Sequence, residues 1–501
     1  MSELSAAPPA GHASGRIGGG SPSATTGAAP GRSRSGWTLV LAGLGAFMAA
    51  LDVVVVATAL PTLQTHLGAS LADLEWTINA YNLVFGCLML TGAALGDRFG
   101  RRRMYVLGLV VFVLGSAMAA LSPGTGTLIT ARVVQGATAA LLIPQVLATF
   151  HHTLEGERKA RALALYGATS GIAAVVGQII GGLLVSANIA GSSWRPIFLV
   201  NVPVGIIVLL VAARTVPATR SAHPLGADLP GTVLFAATLT ALLVPLTEGH
   251  ALGWPWWTWL LIAAAVALGG PTCLVEKRAE ARGEVPLLPP SLLRLRSMSR
   301  GLVMVLIFSM GFGSFMFVFA LTVQDGLHAD ALRGGLSILP MAVAFLAGSL
   351  VAARVITRFG RAAMSAGAVV QLAGLAWLVT VLVTGWPHVG LWAMAGPLAL
   401  VGAGQSMLFA GMFRAVLADV PAHLGGIGGG VLITLQQAGL ALGVATLGTL
   451  YLVLQPHGYP RAFAGVEYIQ MGIVAILAIG SAALPRFTKT SGDAPLIRRQ
   501  R

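Results

Sequence analysis

The chain has 501 residues, of which 56% are hydrophobic and only 10% are charged. This composition excludes an ordinary soluble domain and indicates a polytopic membrane protein. The net charge of +14 does not indicate a nucleic-acid partner, because the arginines and lysines occur in short segments between apolar runs. The two cysteines, Cys87 and Cys273, lie inside apolar runs, so neither a disulfide framework nor a metal site is predicted.

Apolar runs of spanning length recur along the chain. A hydrocarbon layer about 30 Å thick requires roughly 20 apolar residues of helix, and only helices satisfy the backbone polar groups of such runs in lipid. We therefore predict an all-α bundle of fourteen transmembrane helices. The predicted spans are residues 37–60, 74–95, 104–122, 127–149, 161–187, 195–213, 229–247, 256–275, 301–323, 333–353, 364–384, 390–414, 429–454 and 465–484.

Loop charges alternate along these spans and predict the orientation. Basic loops alternate with loops that are nearly free of Lys and Arg, which places both termini in the cytoplasm of a multi-pass cell-membrane protein. The sequence Arg98-Phe99-Gly100-Arg101 recurs as Arg358-Phe359-Gly360-Arg361, and parallel halves of this kind are found in transporters. The predicted division is a disordered tail (1–36), a six-helix lobe (37–214), two extra helices with a linker (215–299), a second six-helix lobe (300–484) and a tail (485–501).

The densest charge cluster is the loop sequence GAALGDRFGRRR, from Gly92 to Arg103. Because arginines are costly in hydrocarbon, this cluster is a loop at a membrane face. A stop-transfer cluster would need neither the aspartate nor the spaced glycines. The pattern resembles the loop between the second and third helices of major facilitator superfamily transporters, although Ala93 occupies the leading glycine position. We expect a cytoplasmic latch whose charges bridge the two lobes in one state. Its residues are Gly96, Asp97, Arg98, Gly100, Arg101 and Arg102.

Asp52 is the only ionisable residue between Trp37 and Leu60. An intramembrane carboxylate is a functional hypothesis by default, since it can couple proton movement to conformation; the alternative is a satisfied cap carboxylate. Its surroundings, LDVVVVATALP, resemble the first-helix signature of the fourteen-span drug:proton antiporter branch, with Val54 and Ala57 replacing the usual Thr and Asn.

Arg132 opens the fourth predicted span and, with Gln135 and Gly136, resembles the R-x-x-Q-G signature of the same family. The resemblance implies a part in proton transfer, as the charge partner of Asp52. A snorkelling arginine at the helix end is the alternative.

The fifth predicted span carries glycines whose spacing favours close helix packing. They are Gly167, Gly171, Gly177, Gly181 and Gly182. The run resembles the antiporter signature G-P-x-x-G-G, with Gln178 at the proline position, which removes the expected kink. The following sequence WRPIFLVNVPVG, from Trp194 to Gly205, resembles the segment that opens the sixth helix in the fourteen-span branch, and we expect it to be structural.

Polar residues at mid-depth are candidates for lining a cavity that binds a large amphipathic molecule, although any one of them is also suited to joining helices. They are Asn79, Tyr81, Asn82, Gln145, Gln405 and Gln436. No phosphate-binding loop or enzyme motif occurs, so the expected energy source is the proton gradient, without a cofactor. The resemblance implies a monomeric drug or antibiotic exporter, not an enzyme. The alternatives are a proton-coupled importer of a small metabolite and a non-transporting membrane sensor or scaffold.

Overall fold

The computed structural model describes residues 32–153, 172–173, 175–215, 228–282, 284, 286–421 and 424–482. Within these ranges the regular elements are helices, apart from turns and bends. The main helices are α1 (Arg32–Leu67), α2 (Leu71–Phe99), α3 (Arg101–Ala120), α4 (Thr125–Thr153), α5 (Val175–Ala187), α6 (Asn201–Thr215), α7 (Leu229–Glu248), α8 (Trp256–Ala281), α9 (Arg296–Leu321), α10 (Ala331–Phe359), α11 (Arg361–Gly385), α12 (Leu391–Val416), α13 (Gly425–Gly443) and α14 (Tyr459–Ala482).

Three of these helices are extended by other turns. A single turn at Pro196–Leu199 precedes α6, and a π-turn at Thr322–Gly326 follows α9. The α13 helix continues through a second π-turn, Val444–Gly448, into Thr449–Leu454.

Twelve of the described helices are long and apolar enough to cross a membrane. The other two, α5 and α6, are shorter apolar helices, so length confirms a polytopic all-helical protein but does not confirm fourteen spans. The predicted fifth span, 161–187, lies partly outside the described residues, as do Gly167 and Gly171.

The helix ends extend beyond the predicted spans because local capping determines them. The second span was predicted to begin at residue 74, but α2 begins at Leu71. Ser70 caps this helix: its hydroxyl accepts from the Asp73 amide at 3.1 Å, and the Asp73 carboxylate accepts from the Ser70 amide at 2.9 Å. This capping box satisfies two backbone amides, those of Ser70 and Asp73, that the helix itself leaves unpaired.

The internal repeat is visible in the backbone. Gly100 separates α2 from α3 with φ of 99°, and Gly360 separates α10 from α11 with φ of 59°. Such positive φ values suit glycine and allow a sharp break between consecutive helices. In both copies the arginine before the break lies over the next phenylalanine ring, at 5.5 Å from its centroid. The two loops therefore share a positive-φ glycine and an arginine–phenylalanine contact, and a full correspondence of the two halves stays a prediction.

The two halves of the bundle meet along α2 and α13, which run antiparallel. Glu75 accepts a hydrogen bond from Thr449 at 3.2 Å, and the Thr434 hydroxyl donates to the Gly86 carbonyl at 3.0 Å. Farther along, Leu90 packs against Gly430. At 1.5 Å per residue the contact from Glu75 to Leu90 is about 22 Å long. This seam joins the halves over most of the thickness of a membrane.

The halves also meet where α5 crosses α10, at the end of the bundle that holds the α1–α2 turn. The Leu332 amide donates to the Ser186 hydroxyl at 3.0 Å. A Cβ at Gly182 would lie 2.9 Å from the Ala331 carbonyl oxygen, and one at Gly335 would lie 2.5 Å from the Gln178 carbonyl oxygen. These glycines therefore bring the two backbones into direct contact.

The α7 helix packs on the outside of the α2–α13 seam. The Trp76 indole donates to Glu248 at 2.9 Å, and the hydroxyls of Thr91 and Thr232 lie 3.1 Å apart. The α8 helix packs on α7 and is largely exposed. The α7 helix thus covers part of the seam.

Candidate functional site

Asp52 and Arg132 form an ion pair in the interior of the bundle, between α1 and α4. Asp52 is 2% exposed and Arg132 is 1% exposed. An arginine that snorkelled to the helix end would be far more exposed, so the two residues that the sequence singled out on separate helices are brought together as charge partners.

The carboxylate of Asp52 accepts hydrogen bonds from two other helices, α4 and α6. Arg132 of α4 donates to one oxygen. The second oxygen accepts from the Gln135 amide at 3.1 Å and from the Asn201 amide at 2.8 Å. Asp52 is therefore satisfied as a charged group, since each of its oxygens has at least one donor.

The guanidinium of Arg132 is fixed in turn. Its Nε donates to the Thr77 carbonyl oxygen at 2.9 Å, and its Nη1 donates to Gln135 Oε1 at 2.9 Å. Its Cζ atom lies 4.4 Å from the centroid of the Tyr81 ring, a distance that permits a cation–π contact. Gln135 also donates to the Ser116 hydroxyl at 2.9 Å, which connects α3 to the network.

This arrangement couples one charge state to the packing of five helices. Removing one member of a buried ion pair typically costs about 3–5 kcal/mol, because the other charge remains without compensation. A proton added to the Asp52 carboxylate removes its negative charge and has the same consequence for Arg132. Proton binding at this site can therefore change which arrangement of α1, α2, α3, α4 and α6 is favoured.

Asn201 lies in the segment Trp194 to Gly205, for which the sequence predicts a structural role, yet its side chain contacts Asp52. It is the first residue of α6, 1% exposed, and its amide points at Asp52. The available signal was its position as the lone carboxamide in an otherwise apolar segment that begins at Pro196. The neighbouring Arg195 donates to the Ser122 carbonyl oxygen at 3.1 Å and lies over the Trp194 ring.

The loop after α2 contains a local ion pair. Arg101, 3% exposed, donates to Asp97 at 2.7 Å. Arg98 and Arg103 are exposed, and Arg102 is partly buried. The pair joins α2 to α3 within one lobe, so a bridge between the lobes stays a prediction.

Close packing of α2 on α4 supports this loop. The Gln145 amide donates to the Gly92 carbonyl oxygen at 2.8 Å, and its side chain fills the space beside Gly96. A Cβ at Gly92 would overlap the Ala140 carbonyl group. Gly92 therefore makes the close helix contact, one residue before the position where the loop signature has its glycine and this chain has Ala93.

The described glycines of α5 pack on two helices. Gly177 and Gly181 face Val54 and Thr58 of α1, whereas Gly182 faces the first turn of α10. Gln178 is 4% exposed and contacts Gly335 through its backbone. The glycines of α5 thus allow this helix to pack closely on α1 and also on α10.

The six cavity candidates lie in different surroundings. Tyr81 packs on Arg132 and Gln145 packs on α2. Asn79, Asn82 and Gln405 are buried with polar atoms that have no hydrogen-bond partner among the described residues, and Gln436 is partly exposed on α13. A common substrate cavity stays a prediction.

A buried carboxylate–guanidinium pair inside a two-lobed bundle of apolar helices is typical of membrane transport proteins. The model of the Major Facilitator Superfamily matches residues 42–444. The chain belongs to this superfamily of transporters and is not an enzyme.

Several similar proteins are named as transporters or export proteins of antibiotics. The chain is 35% identical to a "Probable actinorhodin transporter" of Streptomyces coelicolor, over 83% of this chain and 73% of that protein. It is 30% identical to a "Tetracenomycin C resistance and export protein" of Streptomyces glaucescens, over 93% and 85% respectively. It is 33% identical to the cephamycin export protein of Amycolatopsis lactamdurans, over 90% and 93%.

Solved structures support the fold alone. A D-xylose–proton symporter superposes with a TM-score of 0.63 at 14% identity, covering 91% of this chain and 99% of that chain.

Proposed function

We propose that this protein exports an amphipathic, antibiotic-like molecule across the cell membrane in exchange for protons. The observation that carries the proposal is the buried Asp52–Arg132 pair. Asp52 is the proton-coupling carboxylate and Arg132 is its charge partner. The proton gradient is the energy source, and no cofactor takes part.

The coupling follows from the network around Asp52. With Asp52 charged, Arg132, Gln135 and Asn201 hold α1, α4 and α6 together. A proton on Asp52 leaves the guanidinium without its counter-charge and favours another packing of the first lobe. Each proton that binds on one side and leaves on the other thus drives one change of access.

The proposed topology has fourteen spans, 6+2+6, with both termini in the cytoplasm. The α1–α2 end is then outside, and the α5–α10 crossing closes the outer side of the cavity in this conformation. The Asp97 loop lies inside, where its charges act as the latch. The protein works as a monomer, because the two lobes within one chain provide the alternating access.

The names of the relatives support export of antibiotics, since two of the three that are cited above are called export proteins. Gln178 favours the second candidate, a proton-coupled importer, because this chain lacks the proline of the antiporter signature at that position. The direction of flux under an imposed proton gradient separates the two.

The test is ethidium efflux from energised cells that express the chain, with and without a protonophore. We expect efflux to collapse with the protonophore and in Asp52→Asn, and to continue in Asp419→Asn, a matched change at an exposed site. Full activity of Asp52→Asn would contradict coupling at this residue and favour a sensor or scaffold. Ethidium uptake that is driven by an imposed inward proton gradient would identify an importer. No ethidium flux at all would remove the multidrug specificity and favour a dedicated metabolite.

A further inference from the structure

The second lobe contains a buried acid that the Asp52 network does not involve. Glu467 of α14 is 0% exposed, and neither carboxyl oxygen has a hydrogen-bond partner among the described residues. It is the ninth residue of α14, a helix that is long and apolar enough to cross a membrane.

Two further polar side chains share its position. Gln470 lies one turn from Glu467 on the same face of α14 and contacts Gly311 of α9. The α9 and α14 helices run antiparallel, as the contacts of Gly311 with Gln470 and of Met304 with Gly480 show. This register places Ser314 at the level of Glu467. Gln470 and Ser314 are also 0% exposed, and their side-chain polar atoms have no partner in the described structure.

The helices around this cluster supply no counter-charge. The α14 helix packs against α9, α11 and the last turns that follow α13. Between Arg300 and Asp325 the α9 segment has no charged residue, and α11 has none after Arg361. The turns that follow α13 contribute Tyr451, whose hydroxyl accepts from Thr322 at 2.9 Å, and the exposed His457. On α14 itself, Arg461 and Tyr468 are exposed and Tyr459 is at the helix start.

The buried carboxyl groups of the two lobes therefore differ in their hydrogen-bond donors. Asp52 has a guanidinium and two amides as donors, so its surroundings suit the charged form. In the part of the chain that the structure describes, Glu467 has no donor and no neighbouring cation, so these surroundings suit the neutral acid. A carboxyl group without a structural partner is costly to keep in the middle of a membrane protein, which makes a function the better explanation.

We propose that Glu467 is a second proton-carrying group, which holds its proton in this conformation and releases it in the alternate one. In the release step the carboxyl O–H bond breaks, the proton passes to water that reaches the α9–α14 contact in the alternate conformation, and the carboxylate remains until the next proton binds. Gln470 and Ser314 then face the carboxylate as donors. This inference rests on the proposed proton exchange and raises its stoichiometry from one proton to two per substrate molecule.

Exchange of two protons for one monovalent cation moves one net charge across the membrane, whereas exchange of one proton for that cation moves none. The full chain is reconstituted in liposomes with ethidium as substrate, and either a pH gradient or a membrane potential alone is imposed. We expect the wild type to respond to both. Glu467→Gln should keep the response to the pH gradient and lose the response to the membrane potential. Glu280→Gln, at an acid that already accepts from the Ser291 amide, should behave as the wild type.

Equal responses of the wild type and Glu467→Gln to the membrane potential would overturn the inference and leave the proposed function intact. A wild type that moves ethidium but responds to neither gradient would instead contradict the proton exchange itself.

A measurement that needs no substrate completes the test. Infrared difference spectra of the purified chain, recorded over a range of pH, should show the carbonyl stretch of a protonated buried acid in the wild type and in Asp52→Asn. One component of this band should be missing from Glu467→Gln. Identical bands in wild type and Glu467→Gln would show that Glu467 carries no proton and would overturn the inference for any substrate.

Discussion

Replacing Gly335 by alanine should open the crossing of α5 and α10. A Cβ at this position would lie 2.5 Å from the Gln178 carbonyl oxygen. The helices must recede by about 0.9 Å, the difference between 2.5 Å and the 3.4 Å at which ordinary contact begins. The neighbouring atom belongs to the backbone of a helix, so it cannot turn aside as a flexible side chain would.

The magnitude follows from overpacking, which typically costs about 1–3 kcal/mol. The added methyl group destabilises only the conformation in which α5 and α10 are in contact. It has no such effect in a conformation in which these two helices are separated. A difference of that size shifts the ratio of the two conformations by roughly 5- to 150-fold. Gly182→Ala, with its nearest backbone oxygen at 2.9 Å, should act in the same direction with a smaller effect.

The assay is the labelling rate of a single cysteine with a membrane-impermeant maleimide. The reporter is Ala57→Cys in a chain whose two native cysteines are replaced by alanine. Ala57 is 8% exposed and, with Gln178 and Gly334, lines a narrow space between the two halves. We expect Gly335→Ala to raise the labelling rate at least about fivefold. Gly472→Ala, at a glycine with open space around it, is the control and should change nothing.

Equal labelling rates in the Gly335→Ala variant and its parent would refute the reasoning. That result would mean that α5 and α10 stay in contact throughout the cycle, or that they are already apart in the membrane. A loss of folded protein, detected by size-exclusion chromatography, would be a different result, and Gly182→Ala then provides the milder perturbation of the same contact.

Three further predictions concern the first lobe. Arg132→Met should lower the free energy of unfolding by about 3–5 kcal/mol, because it leaves a buried carboxylate uncompensated. In a thermal unfolding series, adding Asp52→Asn should restore most of this loss. Additive losses in the double variant would contradict a direct pair. Asn201→Leu removes a hydrogen-bond donor to a charged acceptor, an interaction worth about 1.5–3 kcal/mol. We expect the initial transport rate to fall by roughly tenfold or more, while the protein still reaches the membrane. An unchanged initial rate would show that this amide is only structural. Gly92→Ala should destabilise the purified protein by about 1–3 kcal/mol through its clash with Ala140. Thermal unfolding in detergent measures this loss. An unaltered unfolding midpoint would contradict the prediction.

The amino-acid sequence by itself determined the membrane-spanning class, the all-helical architecture and the internal repeat. These properties follow from composition, from the length of apolar runs and from charges between them, all of which are local along the chain. Asp52 and Arg132 were also identifiable, because an ionisable residue in an apolar run is conspicuous.

Tertiary structure decided which of these residues touch. Asp52 and Asn201 are 149 positions apart, and nothing in either segment alone shows that the amide points at the carboxylate. Gly335 and Gln178 meet for the same reason: a close crossing depends on the relative rotation of two helices, which their sequences specify only jointly.

The contrast between the two buried acids shows the limit most directly. In the sequence, Asp52 and Glu467 are each a single carboxyl group in an apolar run. Only the packing shows that one has three donors and the other has none in the described structure. The charge state of a buried group depends on neighbours from distant parts of the chain, so its chemistry is a property of the folded bundle.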